Sequence, residues 1–498
     1  MRKYILEIIV FICGAVVMIL ELVGSRVLAP YVGTSIVVWT SLIGIILGSL
    51  SLGYWWGGKK ADKNPSYKTF SFIIFISAVS VGLITFLKSI VLNFLQNNIN
   101  NIHINATIAT LILFALPSVL LGMITPYAVR LKIKDLDSSG KTVGSLYAIS
   151  TIGSIAGTFL AGFLLIAYFG TSNILIVLSI ILVLTSLLAY FKSTPLLKIM
   201  IILLLLICIL AVHSYNTFLK KQGYIDVDTQ YNRVLIYKSI DEKTNRPTLN
   251  MVTNPGEVQS ATFIDNDDDL VIEYTKFYRL AQHFKPDLKK ALMIGGAGYS
   301  YPKDYLKKFS DARLDVVEID PMLTELAKRY FNLKNDQRLV IHHEDGRTFL
   351  NKTKKKYDVI FGDAFSSFYS IPYQLTTRET VQKMFDLLND DGIVLVNIIS
   401  SIEGEKGKFL RAEYATFKDV FPQVYLFPVD EFNNGSRVQN IMMIALKSEQ
   451  KPFFENSDPE LNEYLKHLWT KEIKNDIPIL TDDHAPVDNY IMKIIKGL

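Results

Sequence analysis

Four apolar segments between residues 291 and 363 each end on glycine or on a carboxylate. The first, Ala291–Ile294, is followed at once by a glycine turn, Gly295–Gly298, and the second, Leu314–Asp320, carries Glu318 near its end. A strand, a glycine turn, a helix, a second strand and then a carboxylate is typical of a doubly wound α/β sheet that holds an adenosine-containing cofactor. We therefore expect Gly295, Gly296 and Gly298 to let backbone approach the cofactor, and Glu318 to accept the ribose hydroxyls.

The next two segments continue the pattern. Arg338–Asp345 ends on Asp345 and Gly346, and Tyr357–Asp363 ends on Asp363. A helix over 377–388, a turn over 389–392 and apolar strands at 393–399, 423–427 and 440–445 follow. Seven strands in this order predict a class I methyltransferase-like Rossmann sheet, parallel except for one late strand.

Two shorter regions precede this sheet. The sequence from about residue 222 to residue 265 predicts a small β region of short strands, with a turn at Asn254–Gly256. The stretch Asp267–Phe284 predicts a helix that leads into the first sheet strand. We therefore divide this part of the chain into a β region, 222–265, and an α/β domain, 266–498.

Residues 1–221 have a different character, with long apolar runs separated by short polar loops. A spanning helix needs about 20 largely apolar residues. By that criterion we predict an α-helical membrane bundle of about seven spans, and the lipid bilayer is its expected surrounding. The spans are expected at roughly 5–24, 37–56, 69–95, 106–127, 144–168, 172–191 and 196–214.

Loop charges predict the orientation of this bundle. Lysines and arginines gather in the second, fourth and sixth loops, the last of which holds Lys192 and Lys198. The positive-inside rule then places the amino terminus in the cytoplasm of a multi-pass cell-membrane protein. An odd number of spans would put the carboxyl-terminal domain outside, whereas nucleotide cofactors are made inside. Either the count is wrong by one, or the domain works where its expected cofactor is scarce.

Two features of the bundle have alternative interpretations, and the net charge of the chain bears on its partners. Gly153 and Gly157 form a small-xxx-small surface that favours packing within the bundle over a contact in a homo-oligomer. Glu21 and Arg26 near the end of the first span are either functional or a structural pair. The net charge of +5 lies largely in the loops and does not indicate nucleic acid as a partner.

The order of β region, glycine turn, Glu318-Ile-Asp, Asp345-Gly346 and Tyr357-Asp-Val-Ile-x-x-Asp363 resembles the spermidine synthases, which are polyamine aminopropyltransferases. The resemblance is greatest to the bacterial multi-pass branch, in which a membrane domain precedes that fold. Its implied cofactor is decarboxylated S-adenosylmethionine, and its implied acceptor is an amine. The resemblance implies that Glu318 binds the ribose, that Asp345 and Gly346 read the adenine, and that Asp363 accepts the proton.

The resemblance also implies substrate contacts from Gln259 and Tyr231, and it shows several departures. Ser366 stands where the family has a second aspartate, and Gly298 stands where the family has an amine-holding aspartate. Asn232 replaces a glutamine, and Tyr274-Thr-Lys276 replaces Tyr-His-Glu. Because a diamine is a dication, losing carboxylates and gaining a lysine weakens the case for putrescine more than the case for cofactor binding.

Several side chains also have ordinary structural interpretations. Asp363 would otherwise cap a turn, and Glu318 would be a surface carboxylate. His342 and His343 lie in a strand without metal-ligand spacing, so a satisfied or exposed histidine is favoured and no metal is expected. Six aromatic side chains form either an apolar lid over the site or part of the packing: Tyr299, Tyr301, Phe365, Phe368, Tyr369 and Tyr373. The segment Asp482-Asp483-His484 either adds negative charge to the site or forms a solvated turn.

Three functions are compatible with this sequence. The first is aminopropyl transfer with Asp363 as base. The second is methyl transfer from S-adenosylmethionine to a small or lipid-like acceptor on the same fold. The third is a degenerate domain that serves the membrane part as a scaffold or in transport, since fold alone does not fix function.

Overall fold

The computed structural model describes residues 4–33, 35–99, 101–133, 139–192, 194–253, 258–265, 269–364 and 371–495. The chain separates into two compact units, Met1–Arg233 and Val234–Leu498. Each unit has a core of its own, because apolar helices dominate the first and a strand-rich α/β sequence dominates the second.

The first unit is built from helices, with one short strand, β1, at Ile225–Asp228. Among the described residues, seven helical segments are long and apolar enough to cross a membrane. They fall at the seven predicted positions. All but the sixth, Thr171–Ala189, are longer than the predicted apolar run, because the helices continue into polar flanks. The helices are α1 Ile5–Val32, α2 Ile36–Lys63, α3 Tyr67–Asn98, α4 Ile102–Gly122, α5 Ile124–Lys132, α6 Ser139–Leu160, α7 Ile166–Tyr168, α8 Thr171–Ala189 and α9 Pro195–Lys221.

The small-residue surface of α6 packs within the bundle. A Cβ added at Gly153 would lie 2.1 Å from the backbone oxygen of Phe11, and one at Gly157 would lie 2.4 Å from that of Ala15. Only glycine lets α6 approach α1 this closely. The predicted preference for packing inside the chain is confirmed for these two residues.

Two charged side chains of the bundle have contacts that the sequence did not reveal. The Arg26 guanidinium donates to the backbone oxygens of Thr229 and Tyr231, and so ties the end of α1 to the loop after β1. Lys198 lies in α9 rather than in the sixth loop, is buried, and donates from Nζ to Ser71 Oγ at 2.7 Å. Lys198 is therefore not the loop charge that the sequence suggested.

The second unit begins with antiparallel strands. Strand β2 (Arg233–Ile240) pairs with β3 (Pro247–Val252), and β3 pairs with β4 (Ser260–Phe263). All four residues of β4 are buried, which places Ser260 in the interior. The predicted turn at Asn254–Gly256 lies outside the described residues.

A seven-stranded sheet follows, in the order β10-β11-β9-β8-β5-β6-β7. Strand β11 runs antiparallel to its neighbours and the other pairs are parallel, as the sequence predicted. Strands β5, β6 and β8 therefore end side by side, with β5 and β8 adjacent. The strands are β5 Lys290–Ile294, β6 Arg313–Val317, β7 Leu339–His342, β8 Tyr357–Gly362, β9 Leu388–Ser400, β10 Gln423–Pro428 and β11 Gln439–Leu446.

Helices cover the two faces of this sheet, and a cluster of buried Leu, Ile, Val, Met and Phe side chains lies between sheet and helices. The helices are α10 Glu273–Phe277, α11 Ala281–Phe284, α12 Ser300–Lys308, α13 Pro321–Tyr330, α14 Gly346–Lys352, α15 Arg378–Leu387, α16 Lys408–Val420, α17 Pro459–Leu465 and α18 Val487–Ile495.

Of two local predictions for this unit, one is confirmed only for residues 273–284 and the other was wrong. The helix expected over Asp267–Phe284 is two short helices, α10 and α11, joined by a 3₁₀ turn at Tyr278–Leu280, and Asp267 lies outside the described residues. The turn expected over 389–392 is a bulged part of β9, since Tyr357 pairs with Leu388 whereas Val359 pairs with Ile393. The bulge absorbs the polar residues of β9 without ending the strand.

Candidate active site

The glycine turn after β5 lies against the end of β8. Gly295 has φ +99°, and a Cβ at this position would lie 2.4 Å from the backbone oxygen of Asp363. The Gly295 N–H donates to Val317 O, and the Asp363 N–H donates to Ile294 O, each at 2.9 Å. Both the positive φ and the close approach require glycine, so the turn and Asp363 form one structure.

Glu318, which follows β6, holds this turn in place. Its Oε2 accepts hydrogen bonds from the N–H groups of Gly296 and Ala297, each at 2.9 Å, and its Oε1 accepts one from the Asp320 N–H at 2.9 Å. Burial raises the pKa of the Glu318 carboxyl, and these three backbone donors oppose the rise. A carboxylate oxygen has two acceptor positions. Oε1 therefore keeps one for a further donor such as a ribose hydroxyl.

Asp345 and Gly346 lie at the start of α14. Asp345 caps this helix, because its Oδ1 accepts from the Thr348 N–H at 2.9 Å. A Cβ added at Gly346 would lie 2.7 Å from Ile294 Cγ2 and 3.5 Å from a Leu375 methyl carbon. Carboxylates after two strands, glycine backbone and these apolar side chains are groups that suit an adenosine ligand.

Asp363 is the carboxylate that follows β8. The Tyr274 hydroxyl donates to Asp363 Oδ2 at 3.3 Å, and the Tyr278 hydroxyl donates to the backbone oxygen of Gly362 at 3.0 Å. Burial raises the pKa of the Asp363 carboxyl from 3.8 to about 7, although hydrogen bonds from Tyr274, Tyr278 and Asn397 oppose the rise. A carboxyl group with a pKa near neutrality can both accept and release a proton.

The sequence did not point to Tyr278 or Asn397. Tyr278 follows Tyr274 by four residues, a helical spacing that was one available signal. Asn397 interrupts the apolar strand β9 and is buried. A polar side chain in an otherwise apolar strand was the signal for Asn397.

A pocket opens beside Asp363 within the second unit. Its walls come from the end of β5 and the glycine turn, from β4 and from helices α10 and α12. Gln259 lines this pocket, as does Ser260, which the sequence analysis did not select. The principal side chains are Gln259, Ser260, Ile272, Tyr274, Met293 and Tyr301.

Ser260 occupies the space next to Gly298. Its Oγ accepts a hydrogen bond from the Gly298 N–H at 2.9 Å. A Cβ added at Gly298 would lie 2.6 Å from Ser260 Cβ and 3.3 Å from a Phe331 ring carbon. No side chain fits at position 298 while Ser260 keeps this position.

The remaining predicted substrate residues belong to the first unit or lie outside the described part of the chain. Tyr231 and Asn232 belong to the first unit, where the Asn232 backbone oxygen accepts from the Thr229 N–H at 2.7 Å. Ser366 lies outside the described residues, together with Phe365, Phe368 and Tyr369.

Among the aromatic candidates that the structure describes, Tyr299 and Tyr301 are buried and Tyr373 is 52% exposed. The Tyr299 hydroxyl pairs with Thr324 Oγ1 at 2.7 Å, and the Tyr301 hydroxyl donates to Tyr278 O at 3.0 Å. Tyr299 is therefore part of the packing behind the glycine turn, and the lid interpretation is wrong for it. Tyr301 both packs and lines the pocket.

The two histidines and the acidic carboxyl-terminal turn have structural partners. His342 Nε2 lies 3.1 Å from Asp315 Oδ1, and His343 Nε2 lies 3.0 Å from Thr324 Oγ1. Asp482 accepts hydrogen bonds from Arg347 at 2.7 Å and from the Thr377 hydroxyl at 2.6 Å. The Asp482 charge is therefore paired with Arg347. No group of three potential metal ligands occurs in the described ranges.

Comparison with known proteins agrees with this geometry. Residues 271–452 match the family model of the spermine/spermidine synthase domain. The polyamine aminopropyltransferase of Vibrio vulnificus is 28% identical over 225 residues, which cover 44% of this chain and 72% of that protein. The eEF1A lysine and N-terminal methyltransferase of Xenopus laevis is 30% identical over 189 residues, which cover 36% of this chain and 25% of that protein.

Among solved structures, a probable spermidine synthase from Corynebacterium glutamicum aligns with a TM-score of 0.39 and 20% identity. The alignment covers 53% of this chain and 91% of that one. The family match, the named relatives and the seven-stranded sheet concern the same part of the chain. The carboxyl-terminal part of this protein therefore carries a spermidine synthase-like domain.

Proposed function

We propose that this protein transfers an aminopropyl group from decarboxylated S-adenosylmethionine to an amine, with Asp363 as the base. The observation that supports this most is the position of Asp363 at the end of β8. It faces a pocket next to the glycine turn, and burial holds its pKa at about 7. A base works best when its pKa lies near the working pH.

The proposed cofactor residues are Gly295, Gly296, Gly298, Glu318, Asp345 and Gly346. Glu318 positions the glycine turn and keeps one acceptor position, and Gly346 keeps space next to Ile294. When bound, the sulfonium cofactor supplies a carbon with a good leaving group. The proposed substrate-binding residues are Gln259, Tyr231, Asn232 and Ser366, of which Gln259 lines the pocket.

In the proposed reaction, Asp363 takes one proton from the ammonium group of the acceptor. The nitrogen lone pair then forms the new C–N bond while the C–S bond breaks and its electron pair stays on sulfur. The Tyr274 hydroxyl, which donates to Asp363, keeps the carboxylate oriented. Holding the nitrogen about 3–3.5 Å from the carbon supplies much of the rate enhancement in such displacements.

The test is a mass-spectrometric assay of the full-length protein in detergent, with decarboxylated S-adenosylmethionine and a panel of amines. We expect methylthioadenosine and an aminopropylated amine from the wild type, and neither from Asp363→Asn. Asp386→Asn, which changes an exposed aspartate of α15, is the matched control and should retain activity. Product formation that survives Asp363→Asn would contradict the assignment of the base.

A second candidate is methyl transfer from S-adenosylmethionine, which the lack of space for an aspartate at Gly298 favours. The methyltransferase from Xenopus laevis is a relative named for that reaction. The same assay, supplied with S-adenosylmethionine, distinguishes the two because methyl transfer releases S-adenosylhomocysteine. If neither product forms and no cofactor binds, a scaffold or transport role is favoured.

We propose further that the seven apolar helices cross the cell membrane and that the amino terminus is cytoplasmic. The helix lengths and hydropathy support the crossing, and the lysines and arginines of the even loops support the orientation. Cysteines placed one at a time at residue 2 and at residue 390, in a chain whose Cys13 and Cys208 are replaced by alanine, are labelled with a membrane-impermeant reagent to test this. Labelling of the same residue before and after lysis distinguishes the two sides.

A further inference from the structure

We propose that the acceptor is a monoamine, with one ammonium group at the reacting end and an uncharged alkyl or hydroxyl group at the other. This rests on the proposed aminopropyl transfer and concerns the same pocket. The argument is a charge balance: among the described residues, Asp363 is the one carboxylate that lines the pocket. The donor already brings a sulfonium and an ammonium group, and a diamine adds one more cation than a monoamine does, with no further carboxylate among the described lining residues to meet it.

The neighbouring carboxylates that the structure describes are already paired. Arg279 binds Asp304 and Asp269, with Nη2 to oxygen distances of 2.7 and 2.9 Å. Glu273 lies 3.6 Å from Lys276 Nζ and 3.3 Å from Lys243 Nζ. These acids on and around α10 and α12 therefore have cationic partners within the protein.

Glu318 lies on the cofactor side and is not among the residues that line the pocket, and its remaining acceptor position is the one proposed for the ribose. Its carboxylate accepts three backbone N–H groups. A second ammonium group in the pocket would therefore lie near Ile272, Met293 and Tyr301 without a counter-charge. Burying an unpaired charge against such side chains is costly, whereas an alkyl chain gains from the same contacts.

The position that would supply a second carboxylate is closed by packing. An Asp at position 298 would need the volume that Ser260 fills, because a Cβ there would lie 2.6 Å from Ser260 Cβ. The hydrogen bond from the Gly298 N–H to Ser260 Oγ keeps Ser260 in that place. Ser260 and Gly298 together make this side of the pocket neutral.

The test compares three four-carbon acceptors that differ only at one end: butylamine, 4-amino-1-butanol and 1,4-diaminobutane. Methylthioadenosine release by the full-length protein in detergent is measured for each. We expect kcat/KM for the better monoamine to exceed that for the diamine by roughly tenfold or more, because burying one charge without a counter-charge weakens binding by at least about tenfold. Preference for the diamine would overturn the inference and leave aminopropyl transfer standing.

A designed reversal makes the test independent of the wild-type activity level. Ser260→Gly with Gly298→Asp opens the space and adds the charge, and Ser260→Gly with Gly298→Asn is the neutral control of the same size. Methylthioadenosine binding by both double variants shows that the site is folded. We expect the ratio of diamine to monoamine turnover to rise roughly tenfold in the Asp variant alone, and an equal rise in the Asn variant would overturn the role of charge.

Glu257 precedes Gln259 by two residues and lies outside the described residues, so Glu257→Gln is included. A diamine preference that disappears in this variant would overturn the inference by identifying a second acid.

If no amine yields methylthioadenosine, the proposed function fails. Equilibrium dialysis of the three amines with methylthioadenosine present then tests the inference alone: tighter monoamine binding supports it, and tighter diamine binding overturns it.

Discussion

Asp363→Asn should stabilise the carboxyl-terminal unit while it abolishes activity. The ordinary pKa of 3.8 is raised to about 7 in the folded protein by burial. Below pH 3.8 a carboxyl group with a raised pKa does not lower the stability of the folded state, because it is protonated in both the folded and the unfolded protein. As pH rises toward 7, the unfolded chain ionises while the folded site resists, so the folded state loses stability.

The size of this effect follows from the same two values. One pKa unit is about 1.4 kcal/mol, so the ionised Asp363 costs the folded state up to about 4 kcal/mol above pH 7 and about 2 kcal/mol at pH 5. Asparagine keeps the shape of the side chain and does not ionise. The stabilisation by Asp363→Asn should therefore grow between these two pH values.

Native-state hydrogen exchange of the full-length protein in detergent, followed by mass spectrometry on peptides that contain β8 (Tyr357–Gly362), measures this difference. Rates are compared with Asp386→Asn at pH 5 and pH 8, after correction for intrinsic exchange. Equal protection in Asp363→Asn and the control at both pH values would refute the reasoning, because it would mean that Asp363 ionises at no cost to the fold.

Three further predictions concern the same unit. Tyr274→Phe removes a donor that lowers the Asp363 pKa, so the rising limb of kcat/KM against pH, expected near pH 7 in the wild type, should move to higher pH; an unmoved limb would show that another group titrates. Glu413 is buried, neither of its carboxylate oxygens is hydrogen-bonded in the described part of the chain, and burial raises its pKa well above the ordinary value. Glu413→Gln should therefore raise the melting temperature at pH 8 and have no effect below pH 4. An equal effect at both pH values would point to packing instead of charge. Gly295→Ala should abolish methylthioadenosine binding. Gly404→Ala, which also has positive φ but open space around it, should retain binding and cost about 1–3 kcal/mol of stability. Loss of binding in both variants would mean that backbone strain alone matters.

The fold was largely readable from the sequence because its signals are local. Apolar runs of about 20 residues predict spanning helices at any position in a chain. Buried strands that end on glycine or a carboxylate predict a doubly wound sheet, because ligand groups collect at the carboxyl ends of parallel strands. Glu318, Asp345 and Asp363 were selected on that basis. The structure places Glu318 and Asp363 directly after their strands, and Asp345 three residues after the end of β7.

Local pattern failed where residues distant in the chain compete for the same space. The polar residues after Leu388 have the composition of a turn, yet pairing with β8 keeps them in the bulged strand β9. Lys198 has the appearance of a loop charge, yet α9 begins three residues earlier and buries it against Ser71. Neither outcome is encoded within a few residues of the position concerned.

The sequence by itself determined that Gly298 stands where the spermidine synthases that it resembles have an aspartate, and that Asp363 is retained. Only the tertiary structure showed that Ser260 fills the space next to Gly298, that Arg279 pairs with the nearby acids, and that burial brings the pKa of Asp363 to about 7. The reason is physical: identity is a property of one position, whereas volume, charge balance and proton affinity depend on which residues the fold brings together.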